Sequence, residues 1–277
     1  MAEVNLNSTL TPYTPRWMFD FEKFYRHETG ILWLRDNRHL SVVASVVYVV
    51  CVFAGRALMS SRKPFNLRLA LALWSASLAV FSIAGAVRSV AAYADIAYRH
   101  GWHASICDPV AYKGAAGFWL FLFALSKFPE LGDTVFIVLR KQKLMFLHWY
   151  HHITVLLYSW YSYPQVVSLA QPFAVMNYVV HSLMYSYYAA KASRLIRLPN
   201  WIGMLITSLQ ITQMFVGCGL NVYAYSVRRN GGHCATNDES LQWAFVMYAT
   251  YLMLFLRFFY VRYIGQAGVT DREKKSA

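Results

Sequence analysis

The sequence predicts an all-α polytopic membrane protein with seven transmembrane helices, and three observations carry that reading. Of its 277 residues, 57% are hydrophobic and only 14% are charged, whereas a soluble domain carries about 25% charged residues. Seven apolar stretches reach or approach the roughly 20 residues that a helix needs to cross a bilayer. They are long continuous runs, not the alternation that barrel strands require, and only helices and closed barrels satisfy their backbone groups in lipid.

The predicted spans cover residues 41–59, 67–94, 115–139, 144–163, 170–190, 201–226 and 241–264. Every connection is short, so residues 41–265 read as one membrane domain. Residues 1–40 carry charges and aromatics but no early apolar core with a cleavage site, unlike a secretory signal. Within them, Arg16 to His39 suits either an amphipathic helix lying at the membrane surface or a solvated tail with one loose helix. Residues 266–277 form a short polar tail.

The net charge of +13 does not point to nucleic acid, because the basic residues cluster at helix ends and no soluble basic domain exists to hold it. Sorted by loop, they predict orientation. With a luminal N-terminus, the loops carrying Arg62, Lys63, Arg140, Lys141, Lys143, Lys191, Arg194 and Arg197 all fall on the cytosolic side, as the positive-inside bias requires. Three marks agree. Asn7-Ser8-Thr9 is a glycosylation sequon, usable only in the lumen and weak by itself. Cys107 and Cys234 fall in two luminal, oxidising loops where a disulfide is expected, leaving Cys51 and Cys218 as buried thiols. The terminal Lys274-Lys275-Ser276-Ala277 matches a cytosolic dilysine signal for retrieval to the endoplasmic reticulum, which needs a cytosolic C-terminus.

Spans three to six each add a polar stripe to an apolar setting. The third carries Lys127, Glu130 and Asp133, three residues apart, with Thr134 beside them and Pro129 and Gly132 loosening the helix. These charges can pair among themselves, or the carboxylates can orient the histidines of the next helix. The fourth carries His148, His151 and His152, which share one helical face. The fifth carries Asn177, His181, Tyr185 and Tyr188. The sixth carries Thr207, Gln210 and Gln213, whose spacing also suits interhelical packing. Ionisable residues at membrane depth mark function by default, and turning all four stripes inward gives one shared site.

The motifs Lys127-x-x-Glu130-x-x-Asp133-Thr134, His148-x-x-His151-His152, Asn177-x-x-x-His181-x-x-Met184-Tyr185-x-Tyr187-Tyr188 and Thr207-x-x-Gln210-x-x-Gln213 resemble those of the very-long-chain fatty acid elongase family in order and spacing, across about residues 20–265. These are endoplasmic-reticulum 3-oxoacyl-CoA synthases. The resemblance implies a fold in which helices two to seven enclose a narrow substrate tunnel, with the acyl chain inside and the CoA head at its cytosolic mouth. It implies decarboxylative condensation of a saturated or monounsaturated long-chain acyl-CoA, around palmitoyl, with malonyl-CoA. The products are 3-oxoacyl-CoA, CO2 and CoA, with no cofactor.

No cysteine accompanies the histidine run, but a neutral imidazole can itself attack a thioester. The resemblance puts His151 in the role of nucleophile with His181 close by. His148 and His152 are then orienters, donors or bases, and Glu130 and Asp133 fix tautomers. Asn177, Gln210 and Gln213 can donate to a developing oxyanion. Lys141, Arg194 and the neighbouring cations can hold CoA phosphates, although positive-inside topology alone explains most of them. The reductase and dehydratase of the elongation cycle are the expected protein partners, and a homo-oligomer stays open.

Two other readings compete. A di-iron desaturase or hydroxylase uses histidine boxes, but five of the nine histidines, His27, His39, His100, His103 and His233, fall in the tail and loops. A seven-helix receptor or transporter fits the topology, but has no need of three histidines stacked on one face.

Overall fold

The computed structural model describes residue 6, residues 8–194, residue 196 and residues 198–265. Asn7, Arg197, Lys274 and Lys275 lie outside the described residues. All regular structure among them is helical: α1 (Asp20–Lys23), α2 (His27–Asp36), α3 (His39–Ser60), α4 (Arg68–Cys107), α5 (Gly114–Glu130), α6 (Asp133–Leu139), α7 (Phe146–Ser162), α8 (Ala170–Ser193), α9 (Asn200–Arg229) and α10 (Asp238–Phe259), with short 3-10 turns after α4 and α7 and a π-turn at Tyr260–Ile264 closing α10.

Four of these are long and apolar enough to cross a membrane: α3, α4, α9, and α10 with its π-turn. Their outer faces are apolar, as with Val42, Val43, Val46, Val47 and Val50 of α3, all exposed. The chain is therefore a multi-pass membrane protein. The other three predicted spans are helical as well, but α5 and α7 are 17 residues each, and α8 is diluted by Gln171, Asn177 and His181, all buried. The helices that fall short carry three of the four predicted polar stripes, while the fourth sits on α9, which is long and apolar enough to cross.

The third predicted span is broken rather than continuous. Pro129 has no N–H to give the turn before it. The chain tightens there, with Gly132 N–H donating to the Pro129 carbonyl at 2.8 Å, and a new helix starts at Asp133. Gly132 also lets an indole close in: a Cβ there would lie 2.7 Å from Trp74.

The second span outruns its predicted end, continuing to Cys107 through a left-handed break at Gly101 (φ 83°). Glycine takes that conformation without penalty. His100 and His103 ride on this extension instead of a loop. Cys107 at its end is disulfide-bonded to Cys234 across 127 residues. Loops of that length remove about 4.7 kcal/mol of chain entropy from the unfolded state in a polymer model. Cys51 is exposed and Cys218 half-buried, not the buried pair expected. Cys51 sits on α3, whose outer face meets lipid instead of protein.

The N-terminal segment is neither one amphipathic helix nor a loose tail. It forms two short helices pinned by Glu22, which is 1% exposed. Its carboxylate accepts from Arg88 Nη2 at 2.9 Å, Trp119 Nε1 at 2.7 Å and the Phe19 N–H at 2.9 Å. Three donors compensate the burial of one charge.

The most extensive helix pair is α4 with α8. Along its buried face α4 presents Ala72, Ser75, Ala79, Ser82, Gly85, Ser89 and Ala92, small residues at helical spacing that let backbones approach where lipid offers no hydrophobic drive. Into this stripe fits Tyr178 of α8, 2% exposed, whose hydroxyl donates to the Trp119 carbonyl at 2.9 Å. A Cβ on Gly85 would lie 2.3 Å from that ring. Gly85→Ala is therefore expected to destabilise the protein by about 1–3 kcal/mol through overpacking. Gly219→Ala, where a Cβ meets nothing within 4 Å, is expected to gain about 0.5–1 kcal/mol from helix propensity. Unfolding in detergent measures both.

Candidate active site

The site begins with a lysine buried by its helix position. Lys127 of α5 is 1% exposed, and its Nζ donates to Glu130 Oε1 at 2.7 Å and to Asn177 Oδ1 at 3.1 Å, while lying 4.2 Å from the centre of the Phe123 ring. Ser126 adds a bond to the same Glu130 oxygen at 2.9 Å. The i, i+3 spacing of Lys127 and Glu130 permits the pair, and Asn177 carries it across to α8.

Asn177 fixes the next residue. Its oxygen is committed to Lys127, so its Nδ2 group faces His181 Nε2 at 3.1 Å and donates. His181 Nε2 is then an acceptor, and the ring hydrogen resides on Nδ1, which points toward Glu130 Oε1 at 3.9 Å. Glu130 thus faces a histidine at longer range. Asp133 does not. Its carboxyl accepts from Trp74 Nε1 and from the Tyr185 hydroxyl, both at 2.7 Å. Tyr185 in turn stands edge-on to His181, with ring centres 5.2 Å apart. The break at Gly132 brings Trp74 over the start of α6, where Asp133 bonds to Trp74 and Tyr185 and, among the described residues, makes no ion pair with Lys127.

The four imidazoles meet on one cavity of about 450 Å³, within the range of small-molecule sites. His148, His151 and His152 line it from one face of α7 and His181 from α8. His148 stands 4.5 Å from His152, and His151 stands 5.5 Å from His152, between ring centres. His148 Nε2 is 2.9 Å from Thr134 Oγ1. His151 makes no side-chain hydrogen bond among the described residues, and its ring packs 4.9 Å from Tyr251. His152 Nδ1 is buried without a partner.

Asp133, Asn177, Tyr185, Tyr188, Thr207, Gln210 and Gln213 also line the cavity, so the α9 stripe faces the site as well as packing. Among the described residues, Gln210 Nε2 has only the Met184 sulfur at 3.3 Å as its partner, a weak acceptor. Lys127 and Glu130 stand behind the wall, not on it. Two of the predicted mouth cations are elsewhere. Lys141 adopts a left-handed backbone (φ 52°), and its ammonium holds the Ser60 and Arg62 carbonyls at 3.1 and 3.0 Å. Arg194 ends α8 in a left-handed cap, exposed and off the cavity. Lys191 and Arg262, two other cations of the same predicted set, do line the cavity, with Tyr187 and Tyr263. The π-turn carries Arg262 and Tyr263, and such turns often occur at functional sites.

None of the residues lining this cavity comes from α3 or α4. Nor do they line the smaller apolar cavity bounded by Val155, Tyr158, Ser159, Met247 and Tyr248. Trp74 and Tyr48 were not legible as site residues, since a tryptophan or tyrosine in an apolar run carries no polar periodicity. Among the described residues, no three His, Cys, Asp or Glu side chains are disposed to hold a metal ion.

Residues 33–271 match the model of the family described as ELO: GNS1/SUR4 family. The chain is similar to very long chain fatty acid elongase 6 of Gallus gallus, 48% identical over 249 residues, covering 90% of this chain and 93% of that one. It is 46% identical to the Homo sapiens protein of that name over 255 residues, 92% and 96% of the two chains. It is 43% identical to the Drosophila melanogaster one over 273 residues, 97% and 86%.

Removing one partner of a buried ion pair leaves an uncompensated charge. Lys127→Met is expected to destabilise by about 3–5 kcal/mol, and Lys127→Met with Glu130→Gln to recover much of that loss. Thermal unfolding of the purified variants checks the order.

Proposed function

The chain belongs to the GNS1/SUR4 (ELO) family, and on that premise we propose how its cavity performs the condensing step of fatty acid elongation. The reaction is that of a very-long-chain 3-oxoacyl-CoA synthase. The observation that carries the reading is the convergence of His148, His151, His152 and His181 on one cavity.

His151 is assigned as nucleophile because, of the two cavity imidazoles that make no side-chain hydrogen bond among the described residues, it is the less buried, whereas His152 is 6% exposed with its Nδ1 sealed off from any partner. Its nitrogen attacks the thioester carbon of the acyl-CoA. The carbon–sulfur bond breaks, CoA leaves as the thiol with the ring proton, and an acyl-imidazole remains. Malonyl-CoA then loses CO2. The freed electron pair forms an enolate carbon that attacks the acyl group, the carbon–nitrogen bond breaks, and His151 regains a proton from solvent. One proton is consumed overall, and no cofactor is assigned. Gln210, whose amide gives up only a thioether contact, and Gln213 donate to the developing oxyanion.

Lys191 and Arg262 at the mouth hold the CoA phosphates. The acyl chain runs from the histidines past Val155 toward the smaller apolar cavity, so that the two cavities form one tunnel. Seven spans place the N-terminus in the lumen and the C-terminus in the cytosol of the endoplasmic reticulum. The disulfide supports that orientation, since it lies at the end of the bundle opposite the cationic mouth and needs an oxidising compartment. The 3-oxoacyl-CoA product must be reduced and dehydrated before another round, which makes a reductase and a dehydratase its functional partners.

Microsomes containing the protein, labelled malonyl-CoA and acyl-CoAs of graded length test the reading. Extension around palmitoyl is expected, and no malonyl-dependent extension would overturn it. In single turnover, His151→Ala is expected to slow acyl transfer and CoA release at least about a thousandfold. Lys191→Ala is expected to raise the KM for acyl-CoA about tenfold, the loss of one charge-assisted contact, with kcat little changed.

A further inference from the structure

Tyr48 stands on α3, a helix that contributes nothing to the cavity lining, yet it reaches the histidines through one intermediary. Its hydroxyl is 2.7 Å from Thr134 Oγ1, and Thr134 Oγ1 is 2.9 Å from His148 Nε2. Tyr48 is 7% exposed and Thr134 1%. The ring is held among Val52, Val138 and Ile153, with its centre 6.5 Å from that of His152.

The direction of this chain follows from counting hydrogens. A hydroxyl has one hydrogen to give. Thr134 is the only hydrogen-bond partner of the Tyr48 hydroxyl among the described residues. A buried O–H without an acceptor is unfavourable, so Tyr48 donates to Thr134, and Thr134 sends its own hydrogen to His148 Nε2. The reverse order would leave the Tyr48 hydrogen with no acceptor.

We infer that Tyr48 is a positioning residue for the condensation: acting through Thr134, it holds His148 in the Nδ1–H tautomer, so that His148 offers the cavity a donor. The inference rests on the reading of the cavity as the condensation site. A ring N–H directed at the reacting thioester or enolate stabilises negative oxygen. The opposite tautomer would present a lone pair there and repel it. The same logic works from the other side of the cavity, where Lys127 sets the tautomer of His181 through Asn177. His148 and His181 are thus set from behind the wall by different helices, while His151 and His152 carry no side-chain hydrogen bond among the described residues.

The test compares the full-length wild type with Tyr48→Phe, Thr134→Val, the double variant and Thr134→Ser in malonyl-CoA-dependent condensation at varied acyl-CoA. Phenylalanine keeps the ring and its packing. Tyr48→Phe is expected to lower kcat about three- to tenfold, the worth of one hydrogen bond, with the KM for acyl-CoA unchanged. It is expected to cost nothing further in the Thr134→Val background, because residues of one network are not additive. Thr134→Ser is expected to keep kcat. Val52→Ala, one turn along α3 in the same packing cluster, is expected to lower thermal stability and leave kcat intact. Wild-type kcat in Tyr48→Phe, losses that multiply in the double variant, or an equal kcat loss in Val52→Ala would each overturn the inference. An inactive wild type would instead overturn the reading of the cavity itself.

Discussion

A charged ammonium buried among apolar helices has to be satisfied by the protein, and Lys127 sets the terms for the rest of the site. Desolvating it is costly unless its donors find partners and its charge a counter-ion. Glu130 supplies the charge one turn away, and Asn177 supplies the remaining acceptor from another helix. That second bond has a consequence beyond stability. With its oxygen engaged, Asn177 has only its N–H2 group to turn toward His181, and the imidazole is fixed in one tautomer. A requirement of folding in a low-dielectric interior thus sets the proton positions at the cavity wall.

The helix break at Pro129 to Gly132 separates two tasks that a straight helix would mix. Lys127 and Glu130 stay on the α5 side and serve His181. Asp133 starts a new helix, turned toward Trp74 and Tyr185. The glycine is needed because the indole packs where a Cβ would stand. A continuous helix would have put both carboxylates on one stripe competing for the same lysine. The break instead distributes them to two supports of the same cavity, while the α4–α8 small-residue seam and the Glu22 anchor keep the outer helices in place.

Much of this was legible in the amino-acid pattern. The seven apolar stretches are all helical, and the stripes of α7, α8 and α9 were readable because residues three and four apart share a face. What was hidden falls into two kinds. Tyr48 and Trp74 act through single polar atoms on large apolar rings, which look like ordinary core in any periodicity. Glu22 looks like one more charge in a polar tail, and only the position of Arg88 and Trp119 in three dimensions reveals it as buried. The mouth cations were the reverse problem. Lys141 and Arg194 sit at the right helix ends, but backbone geometry decides which cations face the cavity. Left-handed turns direct these two elsewhere, and a π-turn brings Arg262 in.

The central claim is that an imidazole, sharing its cavity with two histidines whose rings are set by hydrogen bonds, carries the acyl group between two CoA substrates. The direct measurement is peptide mass spectrometry of the protein incubated with acyl-CoA in the absence of malonyl-CoA. The account predicts an acyl mass increment on the α7 peptide at His151, one equivalent of released CoA, and discharge of the adduct when malonyl-CoA is added. An increment on Cys218 or elsewhere, or CoA release that begins only with malonyl-CoA and leaves no adduct, would contradict it.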